Sequence, residues 1–269
     1  MKLEPTGERM IVDEYRDSPE RYLIYLFHMV TYRFASEFVE GKRVLDYGCG
    51  SGYGTHLLSS RAQSITGVDV APEAVAHAQS AYTAPNLAYQ TIDPDAPLPF
   101  ADASFDVVLS FQVFEHVRDT GRYLAEIDRV LAPGGVLLLV TPDRATRLLP
   151  FQRPWNRFHL REYRPDEIRA LLAPRFGDIR MLGMGGTPDV LAIEIDRCTR
   201  TKWLTLPFTL PVMPDTWRVA MLDFIHRNRK TAEAAPTKPI AFGEPDVRIA
   251  DDISPSVNIV AVARKARNA

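Results

Sequence analysis

The 269-residue sequence predicts an α/β fold, a Rossmann-like doubly wound sheet with helices on both faces. From residue 43 to residue 182, short and nearly continuous apolar segments alternate with segments of helical periodicity. Strands that are apolar throughout are typical of parallel sheets whose two faces are both covered. Three closely spaced glycines follow the first of these segments, and ligands of such sheets bind beyond the carboxyl ends of the strands.

One helix is predicted before the sheet. Ser18 is a suitable N-cap, Pro19 suits the first turn, and Glu20 places a negative charge near the positive end of the helix. The apolar and aromatic positions continue to Val39, and Gly41 ends the helix.

The alternation then predicts the sheet in chain order. Up to Thr141, we expect strands at residues 43–47, 64–70, 87–92, 105–111 and 136–141. The helices between them are expected at residues 52–60, 72–81 and 119–131. Pro133-Gly134-Gly135 ends the last of these helices, because proline and glycine both disfavour helical backbone.

The pattern is less regular after Thr141. A helix is expected at residues 165–172, a strand at 178–182 and a strong final strand at 257–264. Residues 184–256 contain many prolines and an aromatic, basic middle, so we interpret them as an insertion. The sequence thus predicts one domain with four parts: a cap and helix (1–41), a ligand-binding core (42–183), an insertion or acceptor lid (184–256) and the last strand (257–269).

The composition is that of an ordinary globular domain, with 46% hydrophobic and 25% charged residues. A net charge of -2 provides no long-range attraction for nucleic acid. Two cysteines, Cys49 and Cys198, do not make a disulfide framework, which favours a reducing compartment. Acidic residues interrupt residues 1–30, so we expect no secretion signal and predict a cytoplasmic protein.

The loop after the first predicted strand is a candidate ligand cradle. Gly48, Gly50 and Gly52 permit positive φ and let the backbone approach a ligand closely. The dinucleotide fingerprint is excluded, because its third glycine would fall on Tyr53 or Thr55. The phosphate-binding loop is excluded as well, because no Gly-Lys-Ser/Thr follows.

Two carboxylates flank this loop. No lysine or arginine lies between Asp46 and Ser60, so Asp46 would repel a pyrophosphate but suit a ligand that carries an ammonium and a sulfonium. Asp69 ends the second strand, where a carboxylate can accept hydrogen bonds from both hydroxyls of a ribose. Either residue alone could merely end a strand or cap a helix, but the two together around three glycines indicate an adenosine-containing cation.

Four successive segments carry a resemblance to a known family: VLDYGCGSGYG, GVDVAPEAV, LPFADASFDVVLSFQVFEHV and RVLAPGGVLLLVTPD. They resemble the motifs of the class I methyltransferases from about Lys42 to Asp143. The resemblance implies S-adenosyl-L-methionine as methyl donor and S-adenosyl-L-homocysteine as product. It also implies a seven-stranded sheet in the order 3-2-1-4-5-7-6, with strand 7 antiparallel, and residues 257–264 would be that strand.

The resemblance assigns a set of cofactor-binding residues by position. Asp46 and the glycines would line the methionine part, while Asp69 and Val70 would hold the ribose and the adenine edge. The family usually has Gly-Asp where this chain has Ile92-Asp93, so Asp95 is the alternative to Asp93 at the adenine amino group. The full set is Tyr32, Asp46, Gly48, Cys49, Gly50, Gly52, Asp69, Val70, Asp93, Ser110 and Gln112, the last two at the methyl group.

Some classes of acceptor are disfavoured. Enzymes that methylate exocyclic amines have an Asn/Asp-Pro-Pro-Tyr/Phe motif after strand four, where this chain has Ser-Phe-Gln-Val at residues 110–113. Carbon methylation of cytosine needs a cysteine nucleophile, and neither cysteine lies at a suitable place. Metal-dependent catechol-type transfer needs a carboxylate cluster, and Asp143 alone is not one. We therefore predict transfer to oxygen without a metal.

Two histidines are candidates for the general base that a hydroxyl acceptor needs. His116 lies in FEHV, and His159 lies in NRFHLREYRPDEI, which resembles a stretch that overhangs the acceptor site in bacterial methyltransferases of glycan and natural-product pathways. His159 is the first choice, because imidazole accepts a proton near neutral pH. Alternatively, His159 pairs with Glu162 and fixes the loop, and both interpretations stay open. Glu162, Arg153 and Asp143 are expected at the acceptor.

The N-terminal residues suggest the class of acceptor. TGERMIVDE and the spacing of His28 and Tyr32 resemble a subgroup with many members in polysaccharide and glycolipid pathways, which favours a sugar hydroxyl. Glu8, Arg9, His28 and Tyr32 would close over the methionine end of the cofactor, and His28 is a weaker candidate base. The alternatives are a natural-product acceptor and a cofactor-binding scaffold without activity.

The predicted insertion carries a local positive charge. Residues 197–230 contain seven Lys or Arg against two Asp. This segment could form an acceptor lid, a dimer contact or a peripheral membrane contact. The sequence leaves open whether the protein is a monomer or a homodimer.

Overall fold

A computed structural model describes residues 18–230 and 241–267, with side chains described for all of these except 226–230. Eight strands form one sheet, and their bounds are β1 Arg43–Tyr47, β2 Ser64–Asp69, β3 Leu87–Thr91, β4 Phe105–Phe111, β5 Leu131–Pro142, β6 Phe176–Gly186, β7 Val247–Ala250 and β8 Asn258–Lys265. Eight α-helices accompany them: α1 Pro19–Ala35, α2 Tyr53–Ser59, α3 Pro72–Ala81, α4 Thr120–Val130, α5 Arg144–Arg147, α6 Pro165–Leu172, α7 Pro188–Thr205 and α8 Asp215–Lys230.

The sheet has the order β3-β2-β1-β4-β5-β8-β6-β7. Strands β1 to β5 pair in parallel with one another, whereas β8 is antiparallel to both β5 and β6. The seven predicted strands and the antiparallel one among them are confirmed. The predicted count of seven is wrong by one, because β7 adds an antiparallel edge strand inside the segment interpreted as an insertion.

The extra strand has a simple physical origin. Strand β6 extends to Gly186, four residues beyond the predicted end, and its last residues pair with β7 from Gly183↔Ala250 to Gly186↔Val247. A strand of four residues has too little sequence periodicity to be detected alone. It forms because β6 would otherwise present an unpaired edge.

Side chains alternate between the two faces of the sheet, as the parallel-sheet prediction requires. One face buries Val44, Val107 and Leu109 under α1, α2 and α7. The opposite face buries Leu45 and Val108 under α4 and α6. Because neighbouring strand residues are buried on opposite faces, the sheet is covered on both sides and the doubly wound architecture is confirmed.

Most predicted boundaries lie within a residue or two of the observed ones. The exceptions are the end of α1, the start of β5, which begins at Leu131 and not at residue 136, and the end of β6 at Gly186. The hydroxyl of Ser18 caps α1 by accepting a hydrogen bond from the Arg21 N–H at 3.2 Å. The helix ends at Ala35 and not near Val39. Val39 is nevertheless fully buried, so its apolar character reflects packing after the helix has ended.

The predicted insertion folds into α7, α8 and β7. Helix α7 buries Val190 and Cys198 against the domain, and neither cysteine of the chain forms a disulfide. The carbonyl of Lys202 and the hydroxyl of Thr209 accept hydrogen bonds from the Gln152 amide at 2.9 and 2.8 Å. Helix α7 and the segment after it are thus tied to the loop that carries the candidate acceptor residues. In the part of the chain that the structure describes, none of the helices combines the length and apolarity needed to cross a bilayer.

Candidate active site

The glycine loop follows β1 and lies tightly against the protein at two of its three glycines. At Gly48, with φ +91, a Cβ would lie 2.3 Å from Val113 Cγ2. At Gly52, with φ +84, a Cβ would lie 2.5 Å from the Cβ of Ala78. At Gly50, with φ +55, nothing lies within 4 Å of the Cβ position. The loop therefore faces open space at its middle glycine, as a ligand cradle requires.

Asp46 lies at the base of this cradle and is 1% exposed. Its Oδ2 accepts hydrogen bonds from the Tyr32 hydroxyl at 3.1 Å and the Thr55 hydroxyl at 2.7 Å. Its Oδ1 is buried and has no hydrogen-bond partner. Burial raises the pKa of Asp46 to about 6, although the two hydroxyls act in the opposite direction. The carboxylate is thus held ready for a cation that the described protein does not provide.

Asp69 lies at the end of β2, beside the same loop. Its Oδ2 accepts the Gly50 N–H and its Oδ1 accepts the Ala71 N–H, both at 2.9 Å. Each carboxylate oxygen has a second lone pair, so the group can still accept two hydroxyls. Val70 follows and is 52% exposed, which offers apolar surface to a flat base.

Cys49 and Asp93 occupy different surroundings. Cys49 is buried under the loop, and burial raises the pKa of its thiol, so only its backbone is available to a ligand. Asp93 is exposed and uses Oδ1 to accept the N–H of Asp95, which is exposed too. Both the preferred residue and its alternative are therefore accessible, and their contact with the adenine amino group stays a prediction.

Ser110 lies near the end of β4 and Gln112 follows that strand, and their side chains point in different directions. The Ser110 hydroxyl is buried and lies 2.9 Å from the Tyr123 hydroxyl, so it faces the core and only its backbone could border a methyl group. Gln112 has φ +56, which is strained for a residue with a side chain. Its amide donates to Asn258 Oδ1 at 3.2 Å. The strain places a polar side chain at the carboxyl edge of the sheet.

In the turn that follows Gln112, the structure brings two neighbouring residues, Glu115 and His116, close to His159, which lies more than forty residues later in the chain. Each of the three residues offers one ligand atom, and these atoms lie within 4.8 Å of one another. The rings of His116 and His159 meet edge to face with centroids 5.0 Å apart. Val113, two residues before Glu115, contacts Gly48, so the cluster adjoins the ligand cradle.

His159 is 4% exposed and held on both sides of its ring. Its Nδ1 lies 2.7 Å from Glu162 Oε1, and its Nε2 lies 2.8 Å from the amide nitrogen of Asn156. Glu162 also accepts the Arg147 guanidinium at 3.0 Å. Burial acts to raise the pKa of Glu162, but Arg147 and His159 outweigh it and lower the pKa to about 2. The geometry supports the interpretation in which His159 and Glu162 fix the loop.

His116 is more accessible. It is half-buried, and its Nδ1 lies 3.0 Å from the carbonyl oxygen of Phe158. A carbonyl only accepts, so Nδ1 carries the hydrogen and the lone pair of the neutral ring lies on Nε2. His28, the weaker candidate, lies on α1 and is half-buried. Glu8 and Arg9 lie outside the described residues.

The residues expected to bind the acceptor all have partners within the protein. Asp143 is 5% exposed and caps α5 by accepting the Ala145 N–H at 2.9 Å. Arg153 contacts Asp215 at 3.1 Å and the Met213 carbonyl at 2.6 Å. Asp143 and Arg153, like Glu162, are thus held by contacts within the protein. Direct contact of these residues with an acceptor stays a prediction.

Sequence reasoning missed Glu115, Arg147 and Asn156. The sequence does contain a signal for Glu115, because this acidic residue directly precedes the candidate base His116, shortly after an apolar strand. Arg147 has no such signal, since it reaches Glu162 only through the fold and packs its guanidinium 4.2 Å above the Trp155 ring.

Comparisons with known proteins agree with this geometry. Residues 45–139 match the family model described as a methyltransferase domain. A probable S-adenosylmethionine-dependent methyltransferase of Mycobacterium tuberculosis is 38% identical over 180 residues, which are 66% of this chain and 63% of that protein. A ubiquinone biosynthesis O-methyltransferase of a Caulobacter species is 30% identical over 151 residues, 50% of this chain and 58% of that protein.

The match thus spans less than two thirds of the length of these curated relatives. Among solved structures, the YcgJ protein of Bacillus subtilis is similar in fold, with a TM-score of 0.53 at 22% identity over 91% of this chain and 98% of that one.

The buried Oδ1 of Asp46, the Asp69 carboxylate and the open side of Gly50 suit the sulfonium cofactor that the matching proteins are named for. The fold is shared with a solved structure of similar size. The chain thus contains a methyltransferase domain at residues 45–139 and is similar to S-adenosylmethionine-dependent methyltransferases.

Proposed function

We propose that this protein is an O-methyltransferase whose acceptor is a hydroxyl group, most suitably one on a sugar of a glycan, glycolipid or nucleotide-sugar intermediate. The observation that carries the proposal is the cluster of Glu115, His116 and His159 beside the cofactor cradle. A hydroxyl acceptor must lose a proton during transfer, and an imidazole–carboxylate cluster is suited to promote that loss. The O-methyltransferase among the relatives supports an oxygen acceptor.

When bound, S-adenosylmethionine supplies an electrophilic methyl group on a positively charged sulfur. The acceptor oxygen forms a bond to this carbon as the carbon–sulfur bond breaks, and the hydroxyl proton leaves to a base. His116 is the base that we propose, since its lone pair lies on Nε2 and its ring is partly accessible. His159, held by Glu162 and Asn156, positions the Phe158 carbonyl that orients His116.

Residues 197–230 support a lipid-linked form of the acceptor. Helices α7 and α8 and their connection expose large apolar side chains: Trp203, Leu204, Val212, Trp217 and Phe224. The same helices are tied to the loop of His159, because the Arg218 guanidinium donates to the Pro154 carbonyl at 3.0 Å. A peripheral membrane contact here would bring a lipid-linked sugar to the cofactor edge. A cytoplasmic location is part of this proposal.

The test is transfer of a labelled methyl group to a panel of soluble sugars, the same sugars linked to lipid in vesicles, and polyketide or amino-sugar acceptors. We expect label on a sugar oxygen, with faster transfer to the vesicle-bound form. Label on the natural products alone would favour the second candidate function. No transfer to any acceptor, with the cofactor still bound, would leave a cofactor-binding scaffold.

Variants distinguish the two histidines. His116→Ala should lower the rate about a hundredfold and remove the acidic limb of the pH–rate profile, since the base itself is lost. His159→Gln should lower the rate while keeping that limb, because it only positions the base. His56→Ala, which changes an exposed histidine of α2, is the matched control and should leave the rate unchanged. A limb that persists in His116→Ala and disappears in His159→Gln would reverse the assignment.

A further inference from the structure

The cluster at the cofactor edge also has the composition of a metal site. It provides one carboxylate oxygen and two imidazole nitrogens within 4.8 Å of one another. Two ligands come from the turn after β4, and the third comes from the loop that α7 and α8 hold in place. Such a separation along the chain is common when a fold, and not a local motif, creates a site.

The carboxylate of Glu115 is the first independent observation that points to a cation site. Glu115 is 1% exposed, and its Oε2 accepts the Thr141 hydroxyl at 2.9 Å. Its Oε1 is buried without a hydrogen-bond partner. A buried carboxylate oxygen with no donor is costly, so its retention requires an explanation such as a bound cation.

The two imidazoles show the second sign. The Nδ1 of His116 faces the Phe158 carbonyl at 3.0 Å, and the Nδ1 of His159 faces the Glu162 carboxylate at 2.7 Å. Histidines that bind metals almost always donate their other ring N–H to a carbonyl or a carboxylate, which fixes the tautomer and the direction of the ring. Both rings therefore have the tautomer whose Nε2 can bind a cation.

The support behind Glu162 strengthens this arrangement. Arg147 donates to Glu162 Oε2 at 3.0 Å, so the carboxylate that orients His159 is itself oriented. The amide nitrogen of Asn156 competes with a cation, because it lies 2.8 Å from His159 Nε2. A bound ion would replace this donor, and the Asn156 side chain would have to turn away.

We propose that Glu115, His116 and His159 form a binding site for a divalent transition-metal ion. Two imidazoles and one carboxylate suit Zn²⁺, Co²⁺, Fe²⁺ or Mn²⁺, and three protein ligands leave coordination positions open for another group. Because the site adjoins the cradle, the open position suits the acceptor hydroxyl, a role that rests on the proposed function. The role of His116 as a base applies to the protein without an ion. With an ion bound at this site, His116 would be a ligand, the ion would make a coordinated acceptor hydroxyl more acidic, and the proton would leave to solvent.

This proposal departs from the prediction of metal-independent transfer. That prediction considered carboxylates near the site and found Asp143 alone, because Glu115 and His159 are not neighbours in sequence. In the structure, the Asp143 side chain caps α5, and the candidate ligands are instead the carboxylate of Glu115 and the imidazole nitrogens of His116 and His159.

The experiment measures metal binding on the full chain without cofactor or acceptor. The protein is stripped with a chelator and titrated with Co²⁺, whose visible absorption reports nitrogen and oxygen ligands. We expect about one Co²⁺ per chain, as three convergent protein ligands imply. Glu115→Gln and His116→Ala should weaken binding by about a hundredfold or more, since each removes a ligand. His56→Ala is the matched control and should bind like the unaltered protein.

Asn156→Ala provides a second variant that removes no ligand. It should bind Co²⁺ as tightly as the unaltered protein or more tightly, because the competing amide is gone. Absence of stoichiometric Co²⁺, or equal binding by Glu115→Gln, would overturn the site, whether or not methyl transfer occurs. Conversely, bound Co²⁺ that depends on Glu115 without transfer to any acceptor would uphold the site and reject the proposed function.

Discussion

The cofactor cradle and the acceptor edge differ in where their parts come from. In the cradle, Gly48, Asp46 and Asp69 lie within two neighbouring strands and the turns that follow them. At the acceptor edge, the region around His116, His159 and Glu162, the partners of each group come from distant parts of the chain. Arg147 of α5 donates a hydrogen bond to Glu162, and the carbonyl of Phe158 lies beside His116 Nδ1. Local backbone rules therefore specify the first region, whereas packing specifies the second.

The electrostatics of the two regions show the same contrast. Asp46 and Glu162 are both 1% exposed carboxylates, yet their pKa values move in opposite directions. Burial raises the pKa of Asp46 to about 6, because no cation lies beside it within the described protein. Arg147 and His159 overcome burial at Glu162 and lower its pKa to about 2. Asp46 is therefore suited to bind a cationic ligand, whereas Glu162 is already paired with the Arg147 guanidinium.

Breaking the buried ion pair of Arg147 and Glu162 should have the largest effect on stability. Glu162→Gln leaves the Arg147 guanidinium buried without a counter-charge, which costs about 3–5 kcal/mol in the free energy of unfolding. Urea denaturation at pH 7 measures this loss. Asp251→Asn, which breaks the exposed pair with Arg180, is the control and should cost less than about 1 kcal/mol. Equal losses in the two variants would contradict a special role for the buried pair.

The same pair gives a pH dependence with a defined sign. The folded pKa of Glu162 is lower than the ordinary value of about 4.3, so its contribution to stability is present above that pH. The contribution is lost as the pH falls from about 4.3 toward 2. Glu162→Gln should therefore show a shallower loss of stability than the unaltered protein in this range.

Two glycine variants should have a smaller effect and should distinguish the role of the cradle in stability from its role in cofactor binding. Gly48→Ala places a Cβ 2.3 Å from Val113 at positive φ, and we expect a loss of about 2–4 kcal/mol from overpacking and strain. Gly50→Ala meets nothing within 4 Å, so only the strain of positive φ, about 1 kcal/mol, should appear in unfolding. Its cofactor affinity should nevertheless fall, because the new methyl group points into the cradle. Calorimetry of both variants measures stability and affinity together, and full affinity in Gly50→Ala would show that the open side holds no ligand.

The smallest effect concerns the protonation of Asp46. The carboxylate form binds a cation, and protons compete below a pKa of about 6, so cofactor affinity should fall about tenfold for each pH unit below that value. Asp46→Asn should bind more weakly at pH 8 and show no such dependence. Asp196→Asn, at an exposed position of α7, should retain the dependence of the unaltered protein. Titration calorimetry between pH 5 and 8 distinguishes these outcomes, and an unchanged affinity across that range would exclude Asp46 as the cation site.

Prediction from sequence succeeded where short-range rules decide the geometry. The strands at 43–47 and 105–111 and the helices at 72–81 and 165–172 have the predicted bounds, because turn residues and continuous apolar segments mark their ends. It failed at β7, which is too short to leave a pattern. The predicted place of Ser110 near the end of its strand is correct. Its side chain, however, faces Tyr123 of α4, and that direction depends on packing between the strand and the helix.

By itself, the sequence determined the doubly wound sheet, the glycine cradle and the cationic, adenosine-containing class of cofactor. These follow from periodicity, from glycines that must take positive φ and from carboxylates fixed at strand ends. Only the tertiary structure decided that Glu115, His116 and His159 meet, that Arg147 neutralises Glu162 and that an eighth strand closes the edge. The physical reason is that charges, lone pairs and unpaired strand edges are satisfied across space, and the chain order does not record which distant residue will satisfy them.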